Sequence, residues 1–153
     1  MSRWPIGEAD IEQLIAARQP GLQKVQGGQA NGGHLMEKAS RTLATSRTIC
    51  ADDPDSAFVL AYDAARYAAT ALLAHQGLRP TTAGGHYAVE VALRAQFGSG
   101  FRAFGALRRR RNELEYPSAV HETTTLAEAR EAIEDAADIV DAARQLLPTL
   151  GLF

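Results

Sequence analysis

The chain of 153 residues contains one cysteine, Cys50. A single thiol excludes an internal disulfide and a cysteine-built metal cluster. No apolar run reaches the length of a membrane span, and no signal-peptide pattern opens the sequence, so a soluble cytoplasmic protein is expected. There is no Glu-x-x-His pair, the ligand pattern of a di-iron bundle. His34 and His75 have no acidic or cysteine partner at metal-ligand spacing. Neither a phosphate-binding glycine loop nor a serine nucleophile motif is present. Neither a metal nor a cofactor is therefore expected. The net charge is −2, which gives no global attraction to nucleic acid or to acidic membranes. Any anionic partner has to be recruited locally. Lysine is scarce too: Lys24 and Lys38 are the only two among 16 basic residues.

What is present is helical periodicity, with no strand-like alternation and no internal repeat. Residues 1–33 read as an N-terminal arm. Ile11, Leu14 and Ile15 support a short helix from about Glu8 to Arg18, ended by Pro20-Gly21. Glycines 27, 28, 32 and 33 read as a flexible joint and a boundary. A bundle is expected over 34–150. Its first helix runs from His34 to about Cys50, on Leu35, Ala39 and Leu43. Asp53-Pro54 supplies an N-cap and a first-turn proline for a second helix. That helix carries a stripe of Phe58, Tyr62, Ala65, Ala69 and Leu72-Leu73, and Gly77 and Pro80 close it. A third helix is predicted over Gly85–Phe97 and a fourth over about Gly100–Glu115. The last shows Leu126, Ala129, Ile133, Ala136, Val140, Ala143 and Leu147 at alternating steps of three and four, a heptad-type seam. Thr125 and Glu128 form its capping box, and Pro148 stops it. Short connections imply antiparallel neighbours. The expected fold is all-α: an up-and-down bundle of four to five helices with a short helical arm.

The fourth helix holds the sharpest local feature, RRRRNELEYP, residues 108–117. At ~100° per residue, Phe101, Phe104, Leu107 and Leu114 gather on one side. Arg111 points into the middle of that apolar stripe. Arg109 points nearly opposite, Arg110 to a flank and Arg108 to the border. Burying an unpaired guanidinium is costly, so Arg111 needs a partner or a wet cleft. Glu115, one turn on, can supply a carboxylate. So can the acids of the last helix, Glu128, Glu131, Glu134, Asp135, Asp138 and Asp141, in which case Arg111 is a structural ion pair. Pro117 breaks the helix at Tyr116, which leaves the phenol able to swing back beside Arg111 and Asn112.

The ordered set of helices and this motif resemble HEPN domains, all-α domains named for higher eukaryotes and prokaryotes nucleotide-binding. LAYDAARYAATALLAHQGLRPTTAGGHYAVEVAL is similar to that family's second and third helices, with an early Tyr, a Leu-Leu, a Gly-x-x-Pro turn and a His-bearing helix. RRRRNELEYP resembles the family signature, an Arg, often with Asn after it, and a His four to six residues on. Arg111 and Asn112 match the pair. Tyr116 stands where many members have His, as in a bacterial subfamily with Arg-Asn-x-x-x-Tyr. The resemblance covers roughly residues 34–148. It implies a homodimer with two Arg motifs facing one another, and either a toxin-like, metal-independent RNase or a non-catalytic nucleotide-binding or dimerisation module. It also implies a partner, since many members are encoded beside small nucleotidyltransferases that act as antitoxins, and the non-catalytic module would partner such a protein.

Metal-independent RNA cleavage needs a group to take the 2′-OH proton, charge to steady the phosphorane and a proton for the leaving oxygen. Arg111 suits the second need, because its planar, permanently charged fork matches phosphate oxygens. Tyr116, with an ordinary pKa of roughly 10, is a poor base but a good hydrogen-bond donor. The expected site is therefore Arg111, Asn112 and Tyr116, with Arg108, Arg109 and Arg110 adding a local positive patch for RNA or nucleotide phosphate. His121 lies five residues past Tyr116 and reads as a solvated loop histidine. His86 and Glu90, one turn apart, read as a capping or surface pair.

Overall fold

An alanine-rich helix can be approached closely on every side, and α3 (Pro54–His75) is used that way. Its Ala57, Ala61, Ala64, Ala65, Ala68, Ala69 and Ala71 are all buried, along with Phe58, Tyr62, Leu72 and Leu73. A helix that is apolar all round belongs at the centre of a domain. In the computed structural model, which describes residues 6–118 and 123–153, α3 packs against α2 (Gly33–Ile49), α4 (Gly85–Phe97), α5 (Arg102–Glu115) and α6 (Leu126–Leu146). This is an all-α helical bundle, as expected. Among the described residues, no helix is long and apolar enough to cross a membrane.

The local signals act where they were read. Asp53 Oδ1 accepts from Ser56 N at 3.1 Å, and Pro54 begins α3. The Ser56 side chain, and after it this backbone N–H, hold the Asp53 carboxyl below the usual carboxylate range. Thr125 Oγ1 accepts from Glu128 N at 3.1 Å and starts α6. The α6 seam is buried at Ala129, Ile133, Ala136, Val140 and Ala143, and widens to take in Ala132 and Ile139. The Ser46 hydroxyl donates to the Ala57 carbonyl at 2.6 Å, fastening α2 to the start of α3.

The N-terminal segment is held against the bundle. Helix α1 (Glu8–Ala16) buries Ile11 fully against the common core and touches α4. Leu22 is equally buried. It begins β1 (Leu22–Lys24), which pairs antiparallel with β2 (Leu78–Pro80), Gln23 opposite Arg79. This two-stranded ribbon departs from the expectation of no strand. Each strand is three residues long, too short to show alternation. Where the ribbon ends, Gly84 meets the Gly21 backbone so closely that a Cβ at 84 would overlap it. The ribbon fixes the loop that leads into α4, and hence the position of that helix's first turn.

Ile11→Ala is expected to cost about 3 kcal/mol in urea unfolding, because a fully buried side chain leaves a cavity. The transition should stay single. Unchanged stability would mean that α1 is not part of the cooperative unit.

Candidate functional site: a cationic junction of three helices

Phe101, Phe104 and Leu107 face the core, as the angular pattern requires, and Leu114 is half-buried. They fix the rotation of α5 and so the fate of each arginine in the run. Arg108 turns toward α4, where its Nε lies 2.5 Å from Oε2 of Glu90. The Glu90 side chain is only 6% exposed and also meets Arg94 at 2.9 Å and Arg109 at 3.8 Å. Glycine at 105 is what admits this carboxylate, since a Cβ there would overlap Glu90 Oε1. Arg110 is tied on the other flank. Its Nε is 2.5 Å from Glu128 Oε1, its Nη1 2.8 Å from Glu113 Oε2, and its Nη2 donates to the Thr123 carbonyl at 3.1 Å. Arg109 keeps most of its surface in solvent, with its side chain 60% exposed.

Arg111 differs from all three. It is half-buried, its Nε is buried without an acceptor, and among the described residues it makes no ion pair. Glu115, expected to supply a carboxylate, is exposed and does not pair with it. The acid that α6 does offer, Glu128, goes to Arg110 instead. A phenol and a second guanidinium share its condition: Tyr62 Oη and Arg66 Nε, both on α3, are buried without a hydrogen-bond partner. Arg66 Nε sits 3.7 Å from Asp63 Oδ1, an ion-pair distance too long for a hydrogen bond.

His86 closes the group from α4. It lies in that helix's first turn, whose N-terminus no side chain caps. Its ring centroid is 5.5 Å from that of Tyr62, and the Tyr62 ring is in turn 5.6 Å from Phe104 on α5. Electrostatics tie the cluster together. Burial raises the Tyr62 pKa against the pull of Arg66, Arg108 and Arg111, so the phenol stays protonated and able to donate. Burial lowers the His86 pKa, and the Arg66 and Arg111 charges lower it further, so the imidazole is neutral at neutral pH. The expected surface pair of His86 and Glu90 does not form. Glu90 is consumed by arginines, and His86 faces Tyr62.

The other expected residues are placed less closely. Asn112 is half-buried, and its carbonyl accepts from Tyr116 N at 2.9 Å. Tyr116 caps the end of α5 and is 77% exposed, with its phenol turned to solvent. His121 lies outside the described residues. Among the described residues, no three His, Cys, Asp or Glu side chains are placed to share a metal ion. The residues that sequence reasoning missed are Tyr62, Arg66 and His86. A signal existed in Tyr62-Asp63-Ala-Ala-Arg66, where polar groups one turn apart interrupt the otherwise apolar centre of α3.

Two outcomes follow for this cluster. Glu90→Ala should destabilise the protein by about 3 kcal/mol in urea unfolding, because it strands the Arg108 guanidinium. Full stability in that variant would show that Arg108 is already solvated. His86, with its pKa lowered by folding, binds fewer protons folded than unfolded in the window between the two values. Stability is therefore complete above about 6.5 and is lost as pH falls through that value toward the folded-state midpoint. Unfolding measured from pH 7.5 to 5 should show that loss, and His86→Gln should flatten it.

A family model for the HEPN domain matches residues 33–146, from the first turn of α2 to the end of α6. No curated protein and no solved structure matches the chain. The matched segment holds α3, α4 and α5 complete, and with them Tyr62, Arg66, His86 and Arg111. By this match over most of its length, the chain belongs to the HEPN domain family.

Proposed function

We propose that this HEPN protein binds single RNA strands through their phosphates at Arg111 and cleaves them without a metal ion, in the manner of a toxin-like ribonuclease. The observation that carries the reading is the buried, acceptor-free Nε of a half-buried Arg111. An unanswered guanidinium in that position is costly, and an anion is what offsets the cost. Its planar fork presents parallel N–H groups to two phosphate oxygens. The charge concentrated on α5, with Arg66 of α3 beside it, gives a positive spot on a chain of net charge −2, which is how a mildly acidic protein recruits an RNA strand. Asn112 and Tyr116 complete the proposed site at the end of α5. As a homodimer, two such helix ends would double the charge of the groove, with the exposed Arg109 adding to it.

Exposure of Tyr116 favours a second reading, a non-catalytic HEPN module that binds nucleotides or a small nucleotidyltransferase. A solvated phenol supplies no base near neutral pH. The readings separate in one assay. Purified protein in excess EDTA should cut a labelled single-stranded RNA to fragments ending in a 2′,3′-cyclic phosphate. Arg111→Ala should lower the rate by about 10²-fold or more, the usual loss when one donor to a developing oxyanion is removed. Undiminished cleavage by that variant would place the chemistry elsewhere. Binding by both proteins with no cleavage by either would favour the non-catalytic module.

A further inference from the structure

Resting on the RNA-cleaving reading above, we infer that His86 is the proton acceptor for the attacking 2′-OH, and that Tyr62, Arg66 and Arg111 cradle the phosphate it attacks. The motif at the end of α5 has a tyrosine where proton transfer calls for an imidazole, and that tyrosine is 77% exposed at the helix end. An imidazole reaches the same junction from another helix. Its ring lies 5.5 Å, centroid to centroid, from the Tyr62 ring, with the two planes inclined at 41°. It is half-buried, so one side remains open to a substrate. Among the described residues, no hydrogen bond occupies its ring nitrogens.

Among the described residues, three buried polar atoms have no hydrogen-bond partner here, Tyr62 Oη, Arg66 Nε and Arg111 Nε, and the Arg66 and Arg111 charges act on both Tyr62 and His86. Tyr62 itself is 0% exposed, so a phosphate reaches its hydroxyl only if the junction opens around it. A buried donor left unmade costs free energy, and such exceptions need a reason. One phosphodiester answers all three, accepting from the phenol and from both guanidinium groups. The charge also fits. Two guanidinium charges meet one negative charge in the ground state and two in the phosphorane, so the cradle favours the transition state. The charged and titratable groups facing His86 are Tyr62, Asp63 and Arg66 from α3 and Arg108 and Arg111 from α5. Arg108 is already committed to Glu90, and Asp63 stands beside Arg66.

The His86 imidazole takes the 2′-OH proton as the 2′-oxygen forms a bond to phosphorus. The bond from phosphorus to the 5′-oxygen breaks, and that oxygen takes a proton from solvent. His86 then returns its proton to solvent, leaving a 2′,3′-cyclic phosphate and a 5′-OH.

The test has a binding arm and a kinetic arm. In the binding arm, the His86 ring is titrated by NMR with and without a 2′-deoxy tetranucleotide, which can bind but cannot be cut. The bound phosphate should raise the His86 midpoint by about one pH unit, as an opposite charge nearby does, and Arg111→Ala should abolish that rise. In the kinetic arm, kcat/KM of the wild type should climb with pH through the His86 midpoint. His86→Gln should lose about 10²-fold in kcat and lose that limb of the profile, with RNA affinity kept within about 3-fold. Tyr62→Phe, which keeps the ring, should lower kcat with little change in KM. Wild-type cleavage by His86→Gln alongside an inactive Arg111→Ala would overturn this assignment and leave the RNA-cleaving reading standing. Indifference of cleavage to both variants would overturn both. Absence of cleavage by the wild type, or a His86 midpoint unmoved by the tetranucleotide, would also overturn the assignment.

Discussion

The Arg111 guanidinium, held at the junction of α3, α4 and α5 with its Nε buried and no carboxylate to meet it, is the constraint that gives the rest of this fold its meaning. Phe101, Phe104 and Leu107 set the rotation of α5, and that rotation leaves four consecutive arginines with four different fates. Arg108 goes to Glu90, Arg110 to Glu128 and Glu113, and Arg109 mostly to water. A local carboxylate could have neutralised Arg111 as well. The one a helical turn further on, Glu115, instead faces solvent. Charge left unanswered in a half-buried place is what a phosphate site requires.

The surrounding architecture serves that junction. Alanines along α3 bring its neighbours close, and the bulkiest fully buried side chain, Tyr62, is set among them. Its ring touches His86 on α4 and Phe104 on α5, so one side chain aligns three helices. The ion-pair hub at Glu90, admitted by Gly105, locks α4 to α5 on the flank of the same junction. The N-terminal segment contributes at a distance. Through β1 and the Gly21–Gly84 contact it fixes the loop from which His86 emerges. Acidic side chains of α6 balance the charge elsewhere, and burial, with crowding by Glu131 and Asp138, raises the pKa of Asp135.

What was legible in the sequence was whatever is decided within one or two turns. Asp53-Pro54 and Thr125 with Glu128 start their helices by contacts three residues away. The span of α4 could be read from its flanking glycines, and the inward turn of Arg111 followed from angular spacing alone. Family resemblance carried the order of the helices. The ribbon of β1 and β2 was not legible, because three-residue strands gain their identity only by pairing across 56 positions of chain, from Gln23 to Arg79. Nor was the company Arg111 keeps. Tyr62 looked like one more member of an apolar stripe, and His86 like half of a surface pair. Their roles arise from the approach of three helices, which no local pattern encodes. The role of Glu90 was hidden for the same reason, since it depends on the absence of a Cβ at Gly105.

Two ways of satisfying Arg111 remain physically distinct: an RNA phosphate, or a carboxylate from a second copy of the chain. A crystal structure of the protein with a short, uncleavable oligonucleotide separates them directly. A phosphate oxygen about 3 Å from Arg111 Nε, with Tyr62 Oη donating to the same group, is the expected result. Arg111 engaged by an acidic side chain of a second subunit, with the oligonucleotide bound elsewhere or absent, would contradict it.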